Sequence, residues 1–264
     1  MSEDAAAGRP GHTTEMTTGS SRLEAAEVRV WHAGIDLLAQ HPAIEARAFA
    51  RLGAADLARY GRFRHDIDRR MFLLGRAMAR VLVGRALGRP PLAWTWREGP
   101  RGRPEVGDPG SAVRFNVAHS AGLVVCALVH GREVGVDAEH LDRRPPESAV
   151  VDRYCSPDEI ADIRAWGDAW CDRFLVYWTL KEAYLKARGL GIAVPLAEIS
   201  FTVRSETDAA IAFRGSLAGT DDRWAFTLAR PTPRHLVAVA ASTSDGDRPA
   251  VAFHELDASM LEGL

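Results

Sequence analysis

Cysteine is scarce and badly placed for any framework. Cys126, Cys155 and Cys171 form an odd set with no C-x-x-C spacing, which argues against a disulfide scaffold and against a thiolate zinc site. Neither sign of charge dominates: 33 Lys and Arg against 35 Asp and Glu leave a net charge of −2, which speaks against wholesale nucleic-acid binding while allowing local basic patches. No apolar run approaches the length of a membrane span. The opening residues, MSEDAAAGRPGHTTEMTTGSS, lack the basic start and apolar centre of a secretory signal, so a reducing cytoplasm is the expected location. They also lack apolar periodicity, and residues 1–22 are expected to form a disordered tail.

What is present is globular: 47% hydrophobic and 26% charged over 264 residues, enough for one large domain or two small ones. Alternation over Val28–His32 predicts a first strand, and a helical region follows from about Ala48 to Tyr60. Asp66 or Asp68 can cap a second helix whose apolar side carries Met71, Leu74, Met78, Val81 and Leu82, with Gly88 and Pro90 to stop it. Leu92–Trp96 and Val113–Ala118 alternate as strands, with the turn-rich Gly99–Pro104 between them. Gly122–Val129 is nearly all apolar and must be buried on both faces; Glu133–Glu139 is expected to return as its hairpin partner. Ser156-Pro157-Asp158-Glu159 has the capping-box pattern of a helix start, and the helix from about Phe174 stops at Gly189. Short alternating segments at 199–203, 210–213, 224–228 and 235–240 predict an antiparallel sheet in the second half. The whole reads as α+β, helices packed on a small sheet in each half.

Three groups of residues carry chemistry, each with a plainer reading beside it. Glu182 and Lys186 stand four apart on one helix face, as an exposed ion pair would. From Phe174 to Leu180, however, that helix has no charge at all, and acids and ammoniums emerging from a buried helix commonly face a cleft, a metal or a charged ligand. Asp137 and Glu139 are separated by one residue, so strand alternation aims both at one face with backbones about 6.6 Å apart. Such a pair suits either the wet face of an edge strand or a shared hard cation such as Mg²⁺. The arginines at 51, 59, 62, 64, 69, 70, 76 and 80 make either a solvated helix face or a phosphate pocket.

Three segments resemble the Sfp-type 4′-phosphopantetheinyl transferases, in this order: Phe115-Asn116-Val117-Ala118-His119-Ser120, then Gly135-Val136-Asp137-Ala138-Glu139, then Trp178-Thr179-Leu180-Lys181-Glu182-Ala183-Tyr184-Leu185-Lys186-Ala187-Arg188-Gly189. The likeness extends more loosely from about Arg59 to Gly191. It implies two similar subdomains related by a pseudo-twofold axis, here 23–134 and 135–264, in a monomer that binds coenzyme A and Mg²⁺ in the cleft between them. It implies Asp137, Glu139 and Glu182 as metal ligands, and Lys186, with Lys181 close by, on the pyrophosphate. His119 is implied as a phosphate contact, Arg59 and Arg70 as candidates for the 3′-phosphate, and Arg103, where many members have Gly-Lys-Pro, as a residue near the adenine. Glu182, Lys186 and His119 are the implied catalytic set, and the implied partner is an apo acyl or peptidyl carrier protein, without nucleic acid or membrane. One departure is Ala118, where the family often has serine. A different Mg²⁺-dependent enzyme, such as a nucleotide hydrolase, would use the same carboxylates and lysine.

Overall fold

The computed structural model describes residues 27–264 except 100, 101, 145, 192, 193, 222, 245 and 246, so the tail expected over residues 1–22 lies outside the described residues. The first half runs β1 (Glu27–Gly34), α1 (Asp36–Gln40), α2 (Pro42–Ala50), α3 (Ala54–Arg62), α4 (Asp66–Leu87), β2 (Trp96–Glu98), β3 (Pro104–Val106), β4 (Val113–Ser120) and β5 (Leu123–His130). The second runs β6 (Val134–His140), α5 (Ser148–Tyr154), α6 (Pro157–Ala165), α7 (Trp170–Arg188), β7 (Ile199–Val203), β8 (Ala209–Phe213), β9 (Trp224–Thr232), β10 (His235–Ser242) and β11 (Ala250–Glu255). Strands pair in the orders β11-β1-β5-β4 and β6-β10-β9, with β2-β3 and β7-β8 as separate ribbons; all pairs are antiparallel except β1-β11. The α+β class holds. Among the described residues, no helix is long and apolar enough to cross a membrane.

The side-chain period of two explains how the layers stack. On β5, Val124, Cys126 and Leu128 face α4, while Leu123, Val125, Ala127 and Val129 face the second sheet. On β10, Leu236, Ala238 and Ala240 pack with α7, and Val237, Val239 and Ala241 meet the first sheet. Two sheets thus lie face to face with α4 outside one and α7 outside the other. The apolar run at 122–129 is buried on both faces because it is covered on both.

Several expectations need correction. β6 is not the hairpin partner of β5 but pairs with β10, Asp137 opposite Ala238. Both edges of β5 are already bonded, to β1 and β4, so no ladder is left for it to offer. The final strand, β11, returns to lie beside β1, and Leu256, Leu261 and Leu264 join the α4 cluster. The expected 134/135 boundary falls inside β6, after its first residue, and residues 250–264 pack with the first half. The helix expected over 48–60 is two helices, because Gly53 is extended (ψ 171°) and starts α3 afresh. Asp66 and Asp68 sit in the first turn of α4 rather than at its N-cap, which is His65. Residues 92–95 are not a strand: Trp94 turns inward, its indole donating to the Arg80 carbonyl at 3.1 Å while Arg80 donates to the Trp94 carbonyl at 2.7 Å.

Candidate active site

On β6, Val134, Val136 and Ala138 point into the layer between the sheets, which turns Gly135, Asp137 and Glu139 toward α7. α7 comes unusually close. A Cβ placed on Gly135 would stand 2.1 Å from the Ala183 carbonyl oxygen and 2.3 Å from the Ala187 amide nitrogen, so helix and strand backbones are in direct contact there. This contact brings Glu182 and Lys186 over the acids of β6. At its far end α7 is closed by Gly189 in the left-handed conformation (φ 63°), a role glycine fills without strain.

Lys186 Nζ donates to Asp137 Oδ1 at 2.6 Å. The other Asp137 oxygen, Oδ2, and Glu182 Oε1 are buried with no hydrogen-bond partner among the described residues. Glu139 is answered by Arg143 at 2.7 Å. Burial raises the Glu182 pKa, and neighbouring Asp137 raises it further against the pull of Lys186. Burial likewise lifts Glu139, with Asp137 adding to the rise and Arg143 and a Trp178 hydrogen bond opposing it. The acids named from the sequence therefore share one neighbourhood and repel one another. They do not form a closed cage: among the described residues no group of three acids, histidines or cysteines is drawn close enough to hold a metal. Two buried, unpartnered carboxylate oxygens on adjacent acids are nevertheless what a hard cation with oxygen ligands would satisfy.

Beside these acids opens a cavity of about 310 Å³, walled by Arg59, Phe72 and Arg76 from α3 and α4, by His119 from β4, and by Glu182 and Lys186 from α7. His119 keeps an edge open to solvent, yet the surrounding protein, then Lys186 and Arg59, lower its pKa and favour the neutral ring. Asn116, from the same motif, accepts a hydrogen bond from the Val136 amide at 3.0 Å and so ties β4 to β6. Ala118 packs in the apolar layer between the sheets, away from the cavity.

The implied residues divide. Arg59 reaches the cavity; Arg70 does not line it, and its guanidinium meets Glu45 at 3.3 Å. The residue missed is Arg76, which pairs with Asp56 at 2.9 Å and lies over Phe72 and Trp96 at 5.0 and 4.9 Å. Helical spacing could have grouped it with its stripe, though only the packing of α4 on β4 shows which stripe meets the cavity. Met71, Phe72, Gly75 and Arg76 form one stripe of α4 at intervals of three and four, and all four line the cavity. Arg103 lines the cavity, and its guanidinium donates to backbone carbonyls.

Lys181 is a correction. It is 1% exposed and does not line the cavity; its ammonium donates to the carbonyls of Tyr154, Leu196 and Ile199 at 2.8–2.9 Å and pairs with Glu159 at 2.6 Å. Consecutive helix positions are about 100° apart, so a lysine adjacent to Glu182 faces elsewhere. Glu159, the capping-box residue of α6, also accepts from the Ser156 and Phe201 amides at 2.8 Å. Lys181→Met would leave that carboxylate buried without its counter-ion. The expected cost is about 3–5 kcal/mol, or roughly 10 °C in the thermal midpoint, partly recovered when Glu159→Gln is added. Unfolding of the single variant indistinguishable from the parent would refute this.

The family described as ACPS, the 4′-phosphopantetheinyl transferase superfamily, matches residues 133–240. A phosphopantetheinyl transferase of Thraustochytrium sp. is 33% identical over 88% of this chain and 85% of its own length. The 4′-phosphopantetheinyl transferase HetI of Nostoc sp. is 35% identical over 63% of this chain and 70% of its own. The 4′-phosphopantetheinyl transferase Sfp of Bacillus subtilis is 31% identical over 56% of this chain and 63% of its own. The chain belongs to the 4′-phosphopantetheinyl transferase superfamily. The resemblance carried by its three motifs is borne out.

Proposed function

We propose that this protein transfers the 4′-phosphopantetheine arm of coenzyme A to a serine of an apo acyl or peptidyl carrier protein and releases adenosine 3′,5′-bisphosphate. The serine oxygen forms a bond to the phosphorus bearing the pantetheine. The bond from that phosphorus to the bridging pyrophosphate oxygen breaks, and the serine proton passes to a base. Such a reaction asks for charge neutralisation and alignment more than for covalent chemistry. Lys186 and His119 are assigned to the pyrophosphate, and Arg59 with Arg76 to the 3′-phosphate. Glu182, its pKa raised by burial, is suited to accept the serine proton. Asp137, Glu139 and Glu182 are the residues that would hold Mg²⁺, which when bound supplies further charge neutralisation at the pyrophosphate.

The observation that carries this reading is the pair of buried, unpartnered oxygens on Asp137 and Glu182 beside Lys186, at the edge of a cavity with an arginine wall. All three cysteines are free, which fits a reducing compartment such as the cytoplasm.

The test is the mass of an apo carrier protein after incubation with the protein, coenzyme A and Mg²⁺. The expected result is a gain equal to the phosphopantetheine arm with one adenosine 3′,5′-bisphosphate released per carrier modified. Nucleotide release with an unmodified carrier would replace the reading with hydrolysis; coenzyme A binding with neither would replace it with a silent binding module.

A further inference from the structure

Arg103 stands between β2 and β3, beside Gly102 and Pro104, and all three line the cavity. Its two terminal nitrogens are taken up by the protein, while Nε is buried without a partner among the described residues. Nη1 donates to the Ala187 carbonyl at 2.7 Å and Nη2 to the Val134 carbonyl at 3.1 Å, with Glu133 at 3.5 Å. The side chain is only 12% exposed.

The two acceptors belong to the two elements that carry the acids and Lys186. Ala187 is in the last turn of α7, where carbonyls have no amide further along the helix to accept from, and it directly follows Lys186. Val134 opens β6, three residues before Asp137. Between them lies Gly135, where the backbones of β6 and α7 touch. One planar guanidinium, with two donors in a fixed fork, therefore spans that contact from the first half of the molecule. A lysine at 103 has a single ammonium and cannot reproduce the fork.

Resting on the transferase reading above, we infer that Arg103 is a positioning residue: it clamps the end of α7 to the start of β6, so that the cavity wall and the Asp137–Glu182–Lys186 set hold one alignment. Its guanidinium serves the protein backbone, not the phosphates of the donor.

The test compares Arg103→Ala and Arg103→Lys with the parent, using coenzyme A and dephospho-coenzyme A, which lacks the 3′-phosphate. A clamp predicts that Arg103→Ala lowers kcat about 10- to 100-fold while the KM for donor changes by less than about 3-fold, since alignment rather than binding is lost. The factor is the same for both donors, and Arg103→Lys recovers part of it. Amide hydrogen exchange in the parent and variants provides a readout free of turnover: Arg103→Ala speeds exchange over 183–190 and 133–137. A phosphate ligand behaves oppositely. It would raise the KM for coenzyme A tenfold or more, and the penalty would vanish with dephospho-coenzyme A. That pattern, an unchanged kcat, or exchange unaltered in those segments would each overturn the inference. Absence of transfer by the parent protein would instead count against the transferase reading, and the exchange measurement would still decide the role of Arg103.

Discussion

Gly135→Ala is expected to lower kcat about 100-fold while leaving most of the stability in place. A methyl group at an open strand position ordinarily helps, because glycine loses more conformational freedom on folding than alanine does. Here the added carbon would stand 2.1 Å from the Ala183 oxygen and 2.3 Å from the Ala187 nitrogen, and neither is a side chain that can swing aside. α7 must retreat by about an ångström to restore ordinary contact distances. The strain costs about 1–3 kcal/mol, within the range of an overpacked core. The retreat also lifts Glu182 and Lys186 from Asp137, and a misplacement of about an ångström at reacting groups is worth about 100-fold in rate. Gly61→Ala is the control. Nothing lies within 4 Å of a Cβ at that position in α3, so it should stabilise by about 0.5–1 kcal/mol with kcat unchanged. Equal kcat for the Gly135 variant and the parent would show that the close approach of β6 and α7 does not set the geometry of the site.

Local features of the chain were legible wherever one element suffices to determine them. The capping box of Ser156 and Glu159 forms as its spacing predicts, Gly189 ends α7, and the apolar run is covered on both faces over residues 123–129. Asp137 and Glu139 do share a side of their strand, because alternation is a property of one strand alone. What depends on partners far along the chain was not legible. Nothing near 134–140 reveals that β1 has already taken the second edge of β5, so the choice of β10 as partner for β6 had to come from the folded sheet. The return of β11 to β1 is a pairing of the same long-range kind.

The site was legible to a similar depth. Helical spacing alone places Glu182 and Lys186 on one face and excludes Lys181 from it, yet the buried carboxylate that receives Lys181 lies on another helix. Arg70 and Arg76 look equivalent in a run of arginines. Only the packing of α4 on β4 shows that the stripe holding Gly75, near Val117, is the one that meets the cavity. The carboxylates were identifiable as residues, whereas their unpartnered oxygens are a property of the assembled walls.

Those oxygens make Glu182→Gln the most direct measurement of the central claim, that acids on β6 and α7 are held together for phosphoryl chemistry at a cost to the resting fold. Glutamine keeps the shape of the side chain and removes its charge. The Glu182 pKa is raised by burial and by Asp137, so its ionised form is disfavoured in the folded protein, and a neutral amide relieves that burden at neutral pH. The substitution also removes both the candidate proton acceptor and one of the proposed metal-binding carboxylates. The expected result is a thermal midpoint equal to or above that of the parent, retained coenzyme A binding, and a rate of carrier modification lower by about 1,000-fold. Carrier modification at the parental rate by a folded Glu182→Gln protein would contradict the account.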